Sequence, residues 1–365
     1  MRLVRLLIPF VVLSALCWAQ DSGTSQKSGA AAAKPAQPPA EPPATNNGNL
    51  HLTVVKTVIA PSETTNGIGD LKCDDDGNIY LGTDAAAYPG IRKLNSKGEL
   101  TASFKPDTNP DVTIMGAGHY FVTRDGEVYQ SVFAKDEPTR YVLIFKNDGS
   151  YKSNIKLEPG FGWIPANISV FPHGELLMTG QQFAKGQPSI PVTGIFSADG
   201  RLLKRLDLEG DGTIKETALA NKAPLGTLPT DHTVTWGKSA VANDGNIYVM
   251  RYLSPAMVYA ISPGGEVVRS FKVDPGIAGA MPAEMRISDN RIAIFFTLRS
   301  THEKTMKIVD LEGHELATYD DQKTDEKNKP APLIAFACYT ATPERFTFVT
   351  YGEQGKIHLQ EVEAH

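Results

Sequence analysis

The chain has 365 residues, 41% of them hydrophobic and 21% charged, enough apolar surface for a substantial core. A net charge of -5 and a pI near 5.9 exclude the basic face of a dedicated nucleic-acid binder, so no nucleic-acid partner is expected. Acidic and basic residues are interspersed, which leaves no charged tail to point to a polyionic partner.

Residues 1–19 read as a signal peptide. Arg2 and Arg5 form a basic start, and the apolar run from Leu6 to Trp18 is too short to span a bilayer comfortably. Cleavage after Ala19 is expected. An uncleaved anchor and lipidation of Cys17 are the alternatives, and Leu16 is large for the residue before a lipidated cysteine. The expected mature protein is exported, periplasmic or secreted, with no membrane span. Residues 20–50 form a linker: "SGAAAAKPAQPPAEPPATNNGN" has almost no large apolar side chain with which to offset the entropy of ordering.

From residue 51 to 365 one pattern recurs. "DDDGNIYLGT" near residue 78 returns as "TRDGEVYQSV" and "ANDGNIYVMR", and more weakly as "FPHGELLMTG" and "ISDNRIAIFF". The turn positions are Gly77, Gly126, Gly174, Gly245 and Asn290, residue types that accept a left-handed backbone. Apolar residues alternate on both sides, the period of a strand. A second turn follows each time: "SKGELTASF", "NDGSYKSNI", "ADGRLLKRL", "PGGEVVRSF" and "LEGHELATY". Each unit therefore holds two hairpins. One interval is longer and contains an insertion at about 206–235. Four-stranded units with a period of about 45–50 residues predict a β-propeller. The C-terminal stretch offers three more strands and His51–Ala60 a fourth, so the expectation is all-β: six four-stranded antiparallel blades, closed by the N-terminal strand pairing in the last blade.

"GDLKCDDDGNIYLGTD" and "KSAVANDGNIYVMRY" resemble the blades of the NHL-repeat and six-bladed propeller superfamily, which read like "GIAVDSDGNIYVAD". The resemblance runs from about residue 51 to the end and implies a fold rather than a reaction.

No strong catalytic motif accompanies the repeat. There is no His-Glu-x-x-His, Cys-x-x-Cys or Gly-x-Ser-x-Gly. "WGKSA" lacks the first glycine of a phosphate-binding loop, and a strand follows it. Asp207, Glu209 and Asp211 have calcium-loop spacing, but Ala218 stands where the bidentate glutamate belongs; a solvated loop with a short helix is expected. Asp74, Asp75 and Asp76 read as hairpin residues rather than a metal loop.

The repeat itself supplies the candidate site. Inner strands line the tunnel of a propeller, and the loops leading into them share one face with the loops joining strands two and three. Seven residues before the turn glycines stand Asp70, His119, Asn167 and Lys238; in the shorter fifth unit the equivalent is Glu284. Arg251, after the second strand of blade four, could reach the same face or pair with a neighbouring loop. Two readings stay open. The rung is a wetted mouth whose groups satisfy one another, or it is a ligand site in which Asp70 and Glu284 could hold a cation while Lys238 and His119 engage an anion or act as acid and base.

The dipeptides Gly69-Asp70, Gly118-His119 and Gly237-Lys238 resemble, in reversed order, the "NG" and "DG" pairs of the gluconolactonase and regucalcin group, whose Glu, Asn and Asp bind metal. The reversal shifts the polar side chain by one position, which in a regular strand turns it to the other face. The first functional expectation is thus an exported binding module for a protein, peptide or glycan at the tunnel mouth. The second, implied by the resemblance, is a metal-dependent hydrolase or lyase there. No cofactor is predicted beyond a divalent cation on that second reading. Cys73 and Cys338 fall on neighbouring inner strands, but strict alternation puts both on the same face, so two buried thiols are expected rather than a bridge.

Overall fold

The computed structural model describes residues 50–64, 69–82, 90–135, 139–158, 163–182, 190–209, 233–234, 237–321, 335–352 and 355–364. The expected leader, nearly all of the linker, and most of the 206–235 insertion, with its short helix and Asp211 to Ala218 of its calcium-like loop, lie outside these residues. No described helix is long and apolar enough to cross a membrane.

Six four-stranded antiparallel blades make up the fold. Strand β1 is Leu50–Thr64. Blades one to five follow as β2–β5 (residues 71–104), β6–β9 (114–156), β10–β13 (163–205), β14–β17 (237–273) and β18–β21 (281–321). Their inner strands are β2 (Leu71–Cys73), β6 (Ile114–Val122), β10 (Trp163–Val170), β14 (Gly237–Val241) and β18 (Met281–Ser288). Blade six comprises β22 (Ala335–Ala341), β23 (Glu344–Tyr351), β24 (Lys356–Ala364) and, outermost, β1. A 3₁₀ turn spans Pro106–Thr108.

Six apolar clusters fill the six gaps between blades. Phe104, Tyr120 and Phe145 lie between blades one and two, for example, and Phe295, Phe336 and Phe348 between five and six. Both faces of the middle strands are therefore buried, which is why Ile247–Met250 and Ile292–Phe296 read as continuous apolar runs. Gly77, Gly126, Gly174 and Gly245 all have positive φ. In blade five the left-handed residue is Asp289 rather than Asn290. At the second turn of blade two, Gly149 has φ +87°, and a Cβ there would meet the Ser103 carbonyl oxygen at 2.5 Å. The glycine thus makes the turn and also lets it nest on the outer strand of blade one.

The Asp74 hairpin is satisfied locally. Asp74 Oδ1 accepts from the Asn78 backbone N–H (2.9 Å), and Oδ2 accepts from the Tyr80 hydroxyl (2.9 Å) and pairs with Lys93 Nζ (3.3 Å). Asp244 repeats part of this in blade four, accepting from Asn246 N–H and Tyr248 O–H.

At the seam, β1 runs antiparallel to β24, with Thr53 opposite Glu363 and Ile59 opposite His358. Its first residues also pair in parallel with β21 (Glu315–Asp321), Leu50 opposite Tyr319, so blades five and six form one continuous sheet. The structure corrects the expectation for the cysteines: Cys73 and Cys338 are bridged, with Cα atoms 5.5 Å apart. The reason is a β-bulge. In β22, Phe336 pairs with Phe348 and Cys338 with Thr347, leaving Ala337 as an extra residue. Phe336 packs toward blade five, while Ala337 and Cys338 both pack toward blade one. Strict alternation would have left Cys338 on the side of Phe336; the bulge turns it to face Cys73.

Candidate functional site

Bulges of this kind recur at one level of the ring. Ala166 is the extra residue in β10 and Ala283 in β18, while Gly118-His119 face the single Ser131 across β6. In blade one, Gly69 donates to the Gly82 carbonyl and Gly82 donates back to the Asp70 carbonyl, again two residues against one. Bulges re-aim side chains, and here they lie at the mouth, beside the polar rung.

The rung is an ion-pair network. Lys238 Nζ lies 3.2 Å from Asp70 Oδ1 and 2.9 Å from Glu284 Oε2, joining blades one, four and five. Lys72 Nζ is 3.4 Å from Asp70 Oδ2, and Arg286 Nη1 is 2.7 Å from Glu284 Oε1. The Arg286 guanidinium also donates to the carbonyls of Leu71 (2.8 Å), Phe336 (3.0 Å) and Ala337 (2.5 Å), which ties blade five to blades one and six. Those carbonyls flank the Ala337 bulge and the bridge. His119 stands at the edge, Nδ1 3.9 Å from Asp70 Oδ2, its side chain 42% exposed.

Of the residues singled out by the repeat, the structure brings Asp70, Lys238, Glu284 and His119 together. Asn167 lies apart from the ions and donates to Ser239 Oγ at 2.6 Å, and Ser239 in turn bonds Ser169. Arg251 does not reach the cluster. It donates to the Thr233 carbonyl (3.1 Å), pairs with Glu209 Oε1 (3.6 Å) and lies over the Tyr259 ring. Lys72 and Arg286 are the members the repeat reading missed. Each stands two residues beyond a rung acid, hence on the same face of its strand, and that period was the available signal.

Asp70 and Lys238 are held in their charged forms. Burial alone would raise the Asp70 carboxyl, but Lys72, Lys238 and His119 outweigh it and hold it well below its ordinary value. Burial would lower the Lys238 ammonium, but Asp70 and Glu284 push it up instead. Lys72 goes down: burial dominates, and Lys238 and Arg286 repel its charge against the pull of Asp70 and Glu284. Tyr252 is pushed up to about 12 by burial and the nearby carboxylates, against the pull of Lys238.

These residues do not fit a divalent cation. Lys238 already occupies the position between Asp70 and Glu284 that a metal would need, and the other carboxylate oxygens are taken by Lys72 and Arg286. Among the described residues no three His, Cys, Asp or Glu side chains converge as a ligand set.

No protein-family pattern and no curated protein matches the chain. Solved structures do resemble it. A protein of unknown function from Dyadobacter fermentans DSM 18053 aligns at 11% identity over 86% of this chain and 99% of its own, with a TM-score of 0.50. A candidate gluconolactonase aligns at 11% identity over 84% of this chain and 95% of its own, with a TM-score of 0.44. The PQQ-bound aldose sugar dehydrogenase of Streptomyces coelicolor aligns at 10% identity over 87% and 99%, with a TM-score of 0.42. At 11% identity the first of these shows a likeness of fold alone. The chain is, on its own strand order, an all-β six-bladed propeller.

Proposed function

We propose that this chain is an exported, non-catalytic propeller that binds a protein, peptide or glycan at its tunnel mouth. The observation that carries the reading is the position of Lys238, held between Asp70 and Glu284. A general acid or base needs a pKa near the working pH. Here the Asp70 carboxyl is held down and the Lys238 ammonium is pushed up, so neither exchanges a proton near neutrality. The same ammonium speaks against the metal-dependent hydrolase or lyase. The Cys73–Cys338 bridge supports export, because disulfides persist in oxidising compartments.

The test is a panel of immobilised peptides and glycans probed with the native protein and with His119→Ala, the most exposed member of the cluster. The expected result is at least one ligand whose binding weakens tenfold or more in the variant. Ligands that bind both proteins equally would place recognition elsewhere on the molecule.

A further inference from the structure

Resting on that reading of the mouth as a binding site, we propose that its ligand is recognised through an anionic oxygen group, a carboxylate or sulfate, and that Lys72 receives it. The cluster holds three basic side chains, Lys72, Lys238 and Arg286, against two carboxylates, Asp70 and Glu284. The cations are not equally served. Lys238 touches both carboxylates, and Arg286 has Glu284 and four backbone carbonyls. Lys72 has one ion-pair contact among the described residues, at 3.4 Å to an Asp70 oxygen already shared with His119.

An ammonium carries three donors, and burying one with so few acceptors is costly. The Lys72 side chain keeps 11% of its surface exposed, and the Asp70 oxygen it faces also lies beside His119, whose side chain is 42% exposed. One incoming anion makes the count three against three and fills donors on Lys72 with a charge-assisted bond. The downward shift of the Lys72 ammonium has the same origin, since burial and the repulsion of Lys238 and Arg286 act on a charge with too little compensation. Arg286 and Lys238, each with more partners, hold the ring together, and Lys72 is the group with the most capacity left for a ligand.

The experiment follows melting temperature against sodium acetate and, in a separate arm, sodium sulfate, each matched in ionic strength by sodium chloride. The native protein is expected to gain about 2 °C at tenfold above the dissociation constant of the better anion. Which salt acts tells a carboxylate from a sulfate ester. Lys72→Arg should keep the response. Lys72→Met should lose it and melt no lower than the native protein in chloride. If Lys72→Met does not fold, calorimetric titration of the native protein decides, with one acetate or sulfate per chain expected. No response to either salt overturns the proposal, as does a response that Lys72→Met retains. Loss of the anion effect while His119-dependent panel ligands remain would remove this inference and leave the binding reading standing; loss of both would remove both.

Discussion

Replacing both Cys73 and Cys338 by alanine is expected to lower stability by about 3–5 kcal/mol, one of the two largest effects of any change considered for this protein. The bridge closes a loop of 265 residues, almost the whole propeller, and a cross-link that long restricts the unfolded chain most. It also acts where the ring is joined from two ends of the chain. Inner strands β2 and β22 are stapled by sulfur, while outer strands β1 and β24 are paired by backbone hydrogen bonds. Alanine leaves these packing positions apolar, so the loss should report the cross-link rather than a buried polar group. The β1–β24 pairing and the Arg286 contacts remain, so the variant should still fold, with a melting temperature lower by on the order of 10 °C. Reducing the native protein should reproduce the drop, and reducing the variant should add nothing. A thiol assay on the unfolded, unreduced protein should find neither Cys73 nor Cys338 reactive. Equal melting of native and variant proteins would contradict the account.

The second large effect is expected from Asp70→Asn. Asp70 is the carboxylate between Lys72 and Lys238, with His119 beside it. Neutralising it leaves three buried cations facing Glu284 alone, and breaking a buried pair by removing one partner costs about 3–5 kcal/mol. The pH dependence has a definite sign. The folded carboxyl lies well below its ordinary value of 3.8, so its contribution is fully present above that value and is lost as the pH falls through the depressed one. Denaturant titrations should therefore show the full gap between native and variant proteins at pH 7. The gap should begin to close only as the pH falls to about 3.8, and should go on closing toward the depressed value. A gap that closes already near pH 5, or no gap at pH 7, would mean that Asp70 is not paired as described.

The blades were legible because a tight turn needs particular residues. Gly77, Gly126, Gly174 and Gly245 sit at left-handed positions, and the alternation around them fixes which residues face the neighbouring blades. The level of the rung followed from the same spacing, which is why Asp70, His119, Lys238 and Glu284 were found without coordinates. What the repeat could not show was the set of bulges. Ala166, Ala283 and Ala337 are ordinary residues in their sequence context, and only the partner strand reveals that each is one too many. That omission reversed the face assigned to Cys338. Of the two fates open to Arg251 the structure shows the pairing with a neighbouring loop, and its partner Glu209 belongs to the insertion, whose path no repeat predicts. The parallel pairing of β1 with β21 was equally hidden, since it joins segments more than 250 residues apart by backbone alone.

The claim on which the functional reading depends is that the Lys238 ammonium, and not a metal ion, bridges Asp70 and Glu284. Elemental analysis of the native protein, purified without chelator and dialysed against calcium and zinc in turn, tests it most directly. The expected result is less than a tenth of an equivalent of any divalent ion per chain. One equivalent that disappears in both Asp70→Asn and Glu284→Gln would contradict the account and restore the metal-dependent reading of the mouth.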